Sequence, residues 1–244
     1  MTVTASPGTT HVAARGHDGR NNARAGGLFY LLTFAASIPA LFLLNPILND
    51  PNYIVGAGHD TQIAWGCFLD FVNALAGIGS AVAVYPIVKR VNNSMALGFV
   101  MSRMVEAAVI MIGVVALLGV VTMRQDFAGS TGDASALTVT GQSLVAVRDW
   151  TFLFGPAFMA CFNAILFGTL LYRSGLVPRI IPTLGLIGAP LLFISSLFTL
   201  FGHNTTGSGW SMLATLPIAV WELSVGCYLT FKGFKRTPFT DASV

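Results

Sequence analysis

The stretch "MALGFVMSRMVEAAVIMIGVVALLGVVTM", residues 95–123, decides the fold. A bilayer core about 30 Å thick is crossed by roughly 20 predominantly apolar residues in a helix. This run exceeds that length and is interrupted only by Arg103 and Glu106. Two charges three residues apart lie on one face of a helix, so they meet each other before they meet lipid. A charged side chain at a helix centre costs about 2.5 to 3.5 kcal/mol on insertion scales. The segment therefore reads as a membrane span whose charged face is turned to protein or water.

The rest of the chain has the same character. Of 244 residues, 54% are hydrophobic and only 9% are charged, with a mean hydropathy of +0.72. Soluble domains carry about 25% charged residues. Five further apolar runs are long enough to span, at 27–48, 62–88, 150–172, 180–202 and 210–231. The predicted fold class is all-α, a polytopic transmembrane bundle of six spans. Residues 1–24 are polar and lack apolar periodicity, which predicts a disordered tail. The bundle occupies 25–232 and a short tail 233–244. Pro39, Pro156, Pro190 and Pro217 fall inside spans, where they kink a helix or free a carbonyl.

Orientation follows from Lys and Arg. Ten of them, Arg15, Arg20, Arg24, Lys89, Arg90, Arg173, Arg179, Lys232, Lys235 and Arg236, fall on one set of connections. The opposite set holds Arg124 and Arg148 among Asp50, Asp60, Asp126, Asp133 and Asp149. The positive-inside rule then puts both termini in the cytoplasm. The longest connection, 124–149, reads as an outer loop in which Leu144, Val147 and Trp150 have near-helical spacing, either a short interfacial helix or a plain loop.

Four charged residues remain inside spans: Asp70, Arg103, Glu106 and Glu222. Glu106 and Glu222 fall at similar depth, so both carboxylates can reach the Arg103 guanidinium, leaving one negative charge or one proton to spare. Asp70 lies nearer the outer leaflet. It heads a stripe of small and polar residues, Asp70, Asn73, Ala74, Gly77 and Ala81, that favours close approach of another helix. Asn163 on the fourth span adds a hydrogen-bonding group near the midplane. Two readings of these residues stand side by side: pins that fix helix register, or parts of a substrate or proton path.

Other chemistry is thin. Cys67, Cys161 and Cys227 fall in spans without CxxC or Cys/His spacing, and His59, Asp60 and His203 form no metal-binding motif. No P-loop, GxSxG elbow or strand-linked GxGxxG occurs, so nothing calls for a cofactor and a soluble-type enzyme is excluded. A net charge of +3 in short clusters beside apolar runs gives no nucleic-acid surface. The expected surroundings are the lipid bilayer, with another membrane protein or a second copy of the chain as partner.

Five segments, "GLFYLLTFAASIPALF", "DPNYIVGAGHDT", "SRMVEAAVI", "RDWTFLFGPAF" and "LYRSGLVPRIIPTLGLIGAPLL", occur in an order and spacing over residues 24–232 that resembles a bacterial family of six-span membrane proteins catalogued as a domain of unknown function. The resemblance implies an integral protein of a bacterial inner membrane and carries no catalytic or binding residue with it. Three activities are therefore weighed from the residues themselves: small-ligand binding of the transport kind, an accessory or sensor role beside another membrane protein, and, last, an intramembrane enzyme using Glu106 or Glu222 as a base. The last lacks a nucleophile, metal or oxyanion site.

Overall fold

The computed structural model describes residues 10–56, 58–128, 133–205 and 207–241. Residues 1–9 and 242–244 of the predicted tails lie outside them. Among the described residues all regular structure is helical: α1 (Thr10–Leu43), α2 (Asn45–Asn49), a 3-10 turn (Tyr53–Val55), α3 (Asp60–Val88), α4 (Asn93–Phe127), α5 (Ala134–Phe152), a π segment (Leu153–Met159), α6 (Ala160–Ser174), α7 (Ile180–Leu200), α8 (Gly209–Phe231) and α9 (Pro238–Asp241). Six helical stretches are long and apolar enough to cross a bilayer, namely α1 from Gly19, α3, α4, the continuous Ala134–Ser174 rod, α7 and α8.

The termini of these helices carry local signals. Asn92 caps α4, its side-chain oxygen accepting from Met95 N at 2.9 Å, and Ser208 caps α8 by accepting from Ser211 N at 3.2 Å. α6 ends at Gly175, whose φ of +66° is the left-handed conformation that favours glycine. α1 ends at Leu43, and α2 starts at Asn45 with Pro46 in its first turn, where the missing N–H leaves no helical bond unmade.

Two boundaries differ from the sequence reading. α1 starts at Thr10, well inside the segment read as a tail. Its turns between Gly19 and Gly27 lie along α3, with Ala23 fully buried and Gly19 beside Ile87. Small residues let this polar turn pack closely. The long connection, read as a short interfacial helix or a plain loop, is helical over most of its described residues. α4 runs on to Phe127, and α5 begins at Ala134 and continues through the π segment into α6. At 1.5 Å per residue each rod is about 20 Å or more longer than the bilayer core, so the pair extends beyond it. Asp133 caps α5 by accepting from the N–H groups of Ser135 and Ala136, at 2.9 and 3.4 Å. Those donors and the Ser135 hydroxyl hold the Asp133 carboxyl below its ordinary range.

The six spans form a closed ring. α1 packs on α3, α3 on α4, α4 on the α5–α6 rod, α6 on α7, α7 on α8, and α8 returns to α1. Two apolar clusters fill the ends. One, around Tyr30, Phe99, Phe167 and Trp221, lies toward the termini. The other joins α2, the 3-10 turn, α3 and α4 through Leu44, Ile47, Ile54, Ile63 and Leu117 at the opposite end. There a polar clasp closes the structure. Arg124 donates from Nε to Asp60 Oδ1 at 2.7 Å and from Nη2 to Asp60 Oδ2 at 2.5 Å, while Tyr53 donates to Asp60 Oδ1 at 3.1 Å. Burial pushes the Tyr53 hydroxyl above its ordinary range, the neighbouring carboxylate adding to it, so it remains a neutral donor.

Candidate functional site

The ring is not filled at its middle. A cavity of about 230 Å³ lies between the two apolar clusters, and Asp70, Asn73, Arg103, Glu106 and Glu222 all line it. Asn163 is not on the wall but supports it. Its fully buried side chain donates from Nδ2 to Glu106 Oε2 at 2.7 Å.

Arg103 is the hub. Its Nη1 donates to Glu106 Oε2 at 2.9 Å, one turn along the same helix, and its Nη2 donates to Glu222 Oε1 on α8 at 2.7 Å. The Glu222 arm spans helices far apart in sequence, so it ties α4 to α8 across the ring. The guanidinium also lies over the rings of Tyr30 and Phe99, 5.2 and 5.9 Å from their centroids, within cation–π range. Phe99 stacks on Phe167 at 4.7 Å, and Phe167 meets Trp221 edge-on at 6.4 Å. This aromatic cluster packs against the arginine on the side of the termini. Gly77, in the small stripe of α3, stands beside Arg103: a Cβ there would come within 3.9 Å of its Cδ.

Asp70 has a partner that the sequence reading placed in an outer loop. Arg148 is buried in the α5 rod, its Nη2 3.6 Å from Asp70 Oδ2 and its guanidinium 4.8 Å from the Phe152 ring centroid. Assigning Arg148 to a loop is thus corrected. The residue sits there because Gly113 of α4 has no side chain; a Cβ would approach Arg148 Cδ to 2.9 Å and Thr151 Oγ1 to 2.5 Å. Asp133 followed by a proline-free run to Phe152 was the available helix signal. Thr138, Thr140, Gln142 and Ser143 lowered the hydropathy enough to mask it.

The two charged layers are about 10 Å apart, the length of the seven residues from Asp70 to Gly77 along α3. Between them the wall holds Thr33, Ser37, Thr151 and Thr215 together with Phe34, Phe152 and Leu192. The π segment forms part of it through Pro156. A proline inside a helix lacks the N–H and crowds the preceding turn, and the rod accommodates it with wider turns, a form common at functional sites. Among the described residues no group of three His, Cys, Asp or Glu side chains is placed to hold a metal ion.

Replacing Arg148 by methionine leaves Asp70 on the wall without a cation. The expected loss is about 1 to 3 kcal/mol, less than for a fully enclosed pair because the ions are 3.6 Å apart. Adding Asp70→Asn should recover most of it. Thermal unfolding of the single and double variants in detergent checks this, and a double variant no more stable than Arg148→Met would refute the pairing.

A family model described as Domain of unknown function (DUF4386) matches residues 25–233. No curated protein and no solved structure matches the chain.

Proposed function

The chain belongs to this family of unknown function, so its activity has to be read from its own cavity, and we propose that it is an integral membrane protein of the transport kind that binds a small ligand among the buried charges. The observation that carries this reading is that five charged side chains, Asp70, Arg103, Glu106, Arg148 and Glu222, drawn from four separate helical segments, line one cavity. Register pins need only meet in pairs. Ion pairs placed around a common space, at two depths, suit a polar ligand or a substrate path.

The same reading sets the protein in a bacterial inner membrane with both termini in the cytoplasm. With Arg148 inside the bundle, ten basic residues near one end are set against Arg124 alone at the other, and Arg124 is engaged by Asp60. This distribution supports the orientation more strongly than the sequence count.

The test is accessibility. In a background with Cys67, Cys161 and Cys227 replaced by alanine, Thr215→Cys and Ser37→Cys should react with membrane-impermeant thiosulfonates, cationic or anionic, faster than Leu118→Cys on the outer wall. If neither cavity position reacts faster with either reagent, the ligand-binding reading is abandoned.

A further inference from the structure

We infer that the ligand of this cavity is a compact organic cation bearing an ammonium group, held between Glu222 and Asp70. The inference rests on the ligand-binding reading above and adds the charge and size of what binds. It comes from three observations.

Charge is the first. The wall carries three carboxyl groups, Asp70, Glu106 and Glu222, and two guanidinium groups, Arg103 and Arg148. Arginine keeps its charge at any ordinary pH, so the carboxyl groups exceed their counter-charges by one. The surplus group must carry a proton or face another cation, because an uncompensated buried carboxylate is costly. Glu106 already accepts from both Arg103 and Asn163 through Oε2. Glu222 accepts from Arg103 through Oε1 only and has the most accessible side chain of the three, 17% exposed against 11% for Glu106 and 13% for Asp70. It is the natural anchor.

Hydrogen-bond polarity is the second. The hydroxyl hydrogens of Thr33, Thr151 and Thr215 are committed to backbone carbonyls, donating to Tyr30 O at 2.7 Å, Arg148 O at 2.7 Å and Ser211 O at 2.8 Å. Their oxygens therefore offer acceptor lone pairs. Both Nη groups of Arg103 already donate to carboxylates. Around Glu222 the wall is thus rich in acceptors, which suits an ammonium with several N–H donors, while the other guanidinium of the wall, Arg148, is set against Asp70 at 3.6 Å.

Size is the third. A dry cavity of about 150 Å³ takes one benzene, so about 230 Å³ suits a molecule of roughly ten non-hydrogen atoms. A bare metal ion would leave most of it unfilled. Phe34, Phe152 and Leu192 supply apolar wall for the carbon part of such a molecule.

The experiment compares cyclohexylammonium, cyclohexanol and cyclohexanecarboxylate, three molecules of one carbon frame, as additives in thermal unfolding of the purified full-length chain. Cyclohexylammonium alone should raise the unfolding temperature with saturable dependence. Glu222→Gln, which keeps the volume and leaves Arg103 its Glu106 partner, should weaken the apparent affinity at least tenfold, and Asp70→Asn serves as the second variant should the first not fold. Equal stabilisation by the alcohol or the carboxylate, or an undiminished response in a folded variant, overturns the inference. No response to any of the three while Thr215→Cys reacts with thiosulfonates overturns the cation inference and leaves ligand binding standing. Failure of both Thr215→Cys and Ser37→Cys to react faster than Leu118→Cys removes both.

Discussion

Replacing Arg103 by methionine should destabilise the folded protein by about 3 to 5 kcal/mol, the cost of removing one partner from a buried ionic group. The side chain is 5% exposed and holds two carboxylates from two helices. Without it Glu106 and Glu222 face each other with no intervening cation, and the Tyr30 and Phe99 rings lose the guanidinium packed on them. The energy is not a property of the arginine alone. Converting both carboxylates to glutamine in the methionine background should return most of the stability, because replacing a whole buried ionic group by neutral residues is often close to neutral. Equilibrium unfolding in mixed micelles measures the set. A triple variant as unstable as Arg103→Met would mean that the guanidinium acts mainly through its aromatic neighbours.

Gly27→Ala should cost about 3 kcal/mol, at the upper end of ordinary overpacking, because it strikes the contact that closes the ring. A Cβ at residue 27 would lie 2.5 Å from the backbone nitrogen of Thr230 and 2.8 Å from the carbonyl oxygen of Gly226. Neither atom can rotate aside. Ordinary contact begins at 3.4 Å, so α1 and α8 would have to part by about 1 Å, which also moves Glu222, one turn before Gly226. Gly79→Ala is the control. Its Cβ meets the Phe29 ring at 2.9 Å, but that side chain is 36% exposed and free to turn, so the expected cost is about 1 kcal/mol or less. Unfolding midpoints of the two alanine variants separate the cases, and equal midpoints would show that the α1–α8 approach is not the constraint.

The architecture changes how the ion pairs are understood. In a bilayer the lipid is as apolar as leucine, so helix association depends on close packing and polar contacts. The bundle combines both: glycines at Gly27 and Gly113 let backbones or large polar side chains approach, and Arg103 links helices that are not neighbours in sequence. A wholly apolar bundle of these helices would lack that link between α4 and α8. The same ions also leave a space between them, and that space is what distinguishes a candidate site from a set of register pins.

Much was legible from composition and length alone. Apolar runs of about 20 residues admit one conformation in hydrocarbon, the helix, because only the helix satisfies every backbone group within its own segment. Six spans and an all-α class follow from that single physical requirement, and so does the face shared by Arg103 and Glu106, since three residues make nearly one turn. The small stripe from Asp70 to Ala81 was readable for the same reason. Tertiary structure decided what hydropathy and local periodicity cannot carry: that α5 continues the fourth span and buries Arg148 against Asp70, that Glu222 completes the Arg103 cluster, that Asn163 braces Glu106 from behind the wall, and that Asp70, Arg103, Glu106, Arg148 and Glu222 face one cavity. Each depends on how helices distant in sequence are rotated and spaced, which is set by side-chain packing between them and by glycines whose role appears only when the neighbouring helix is in place.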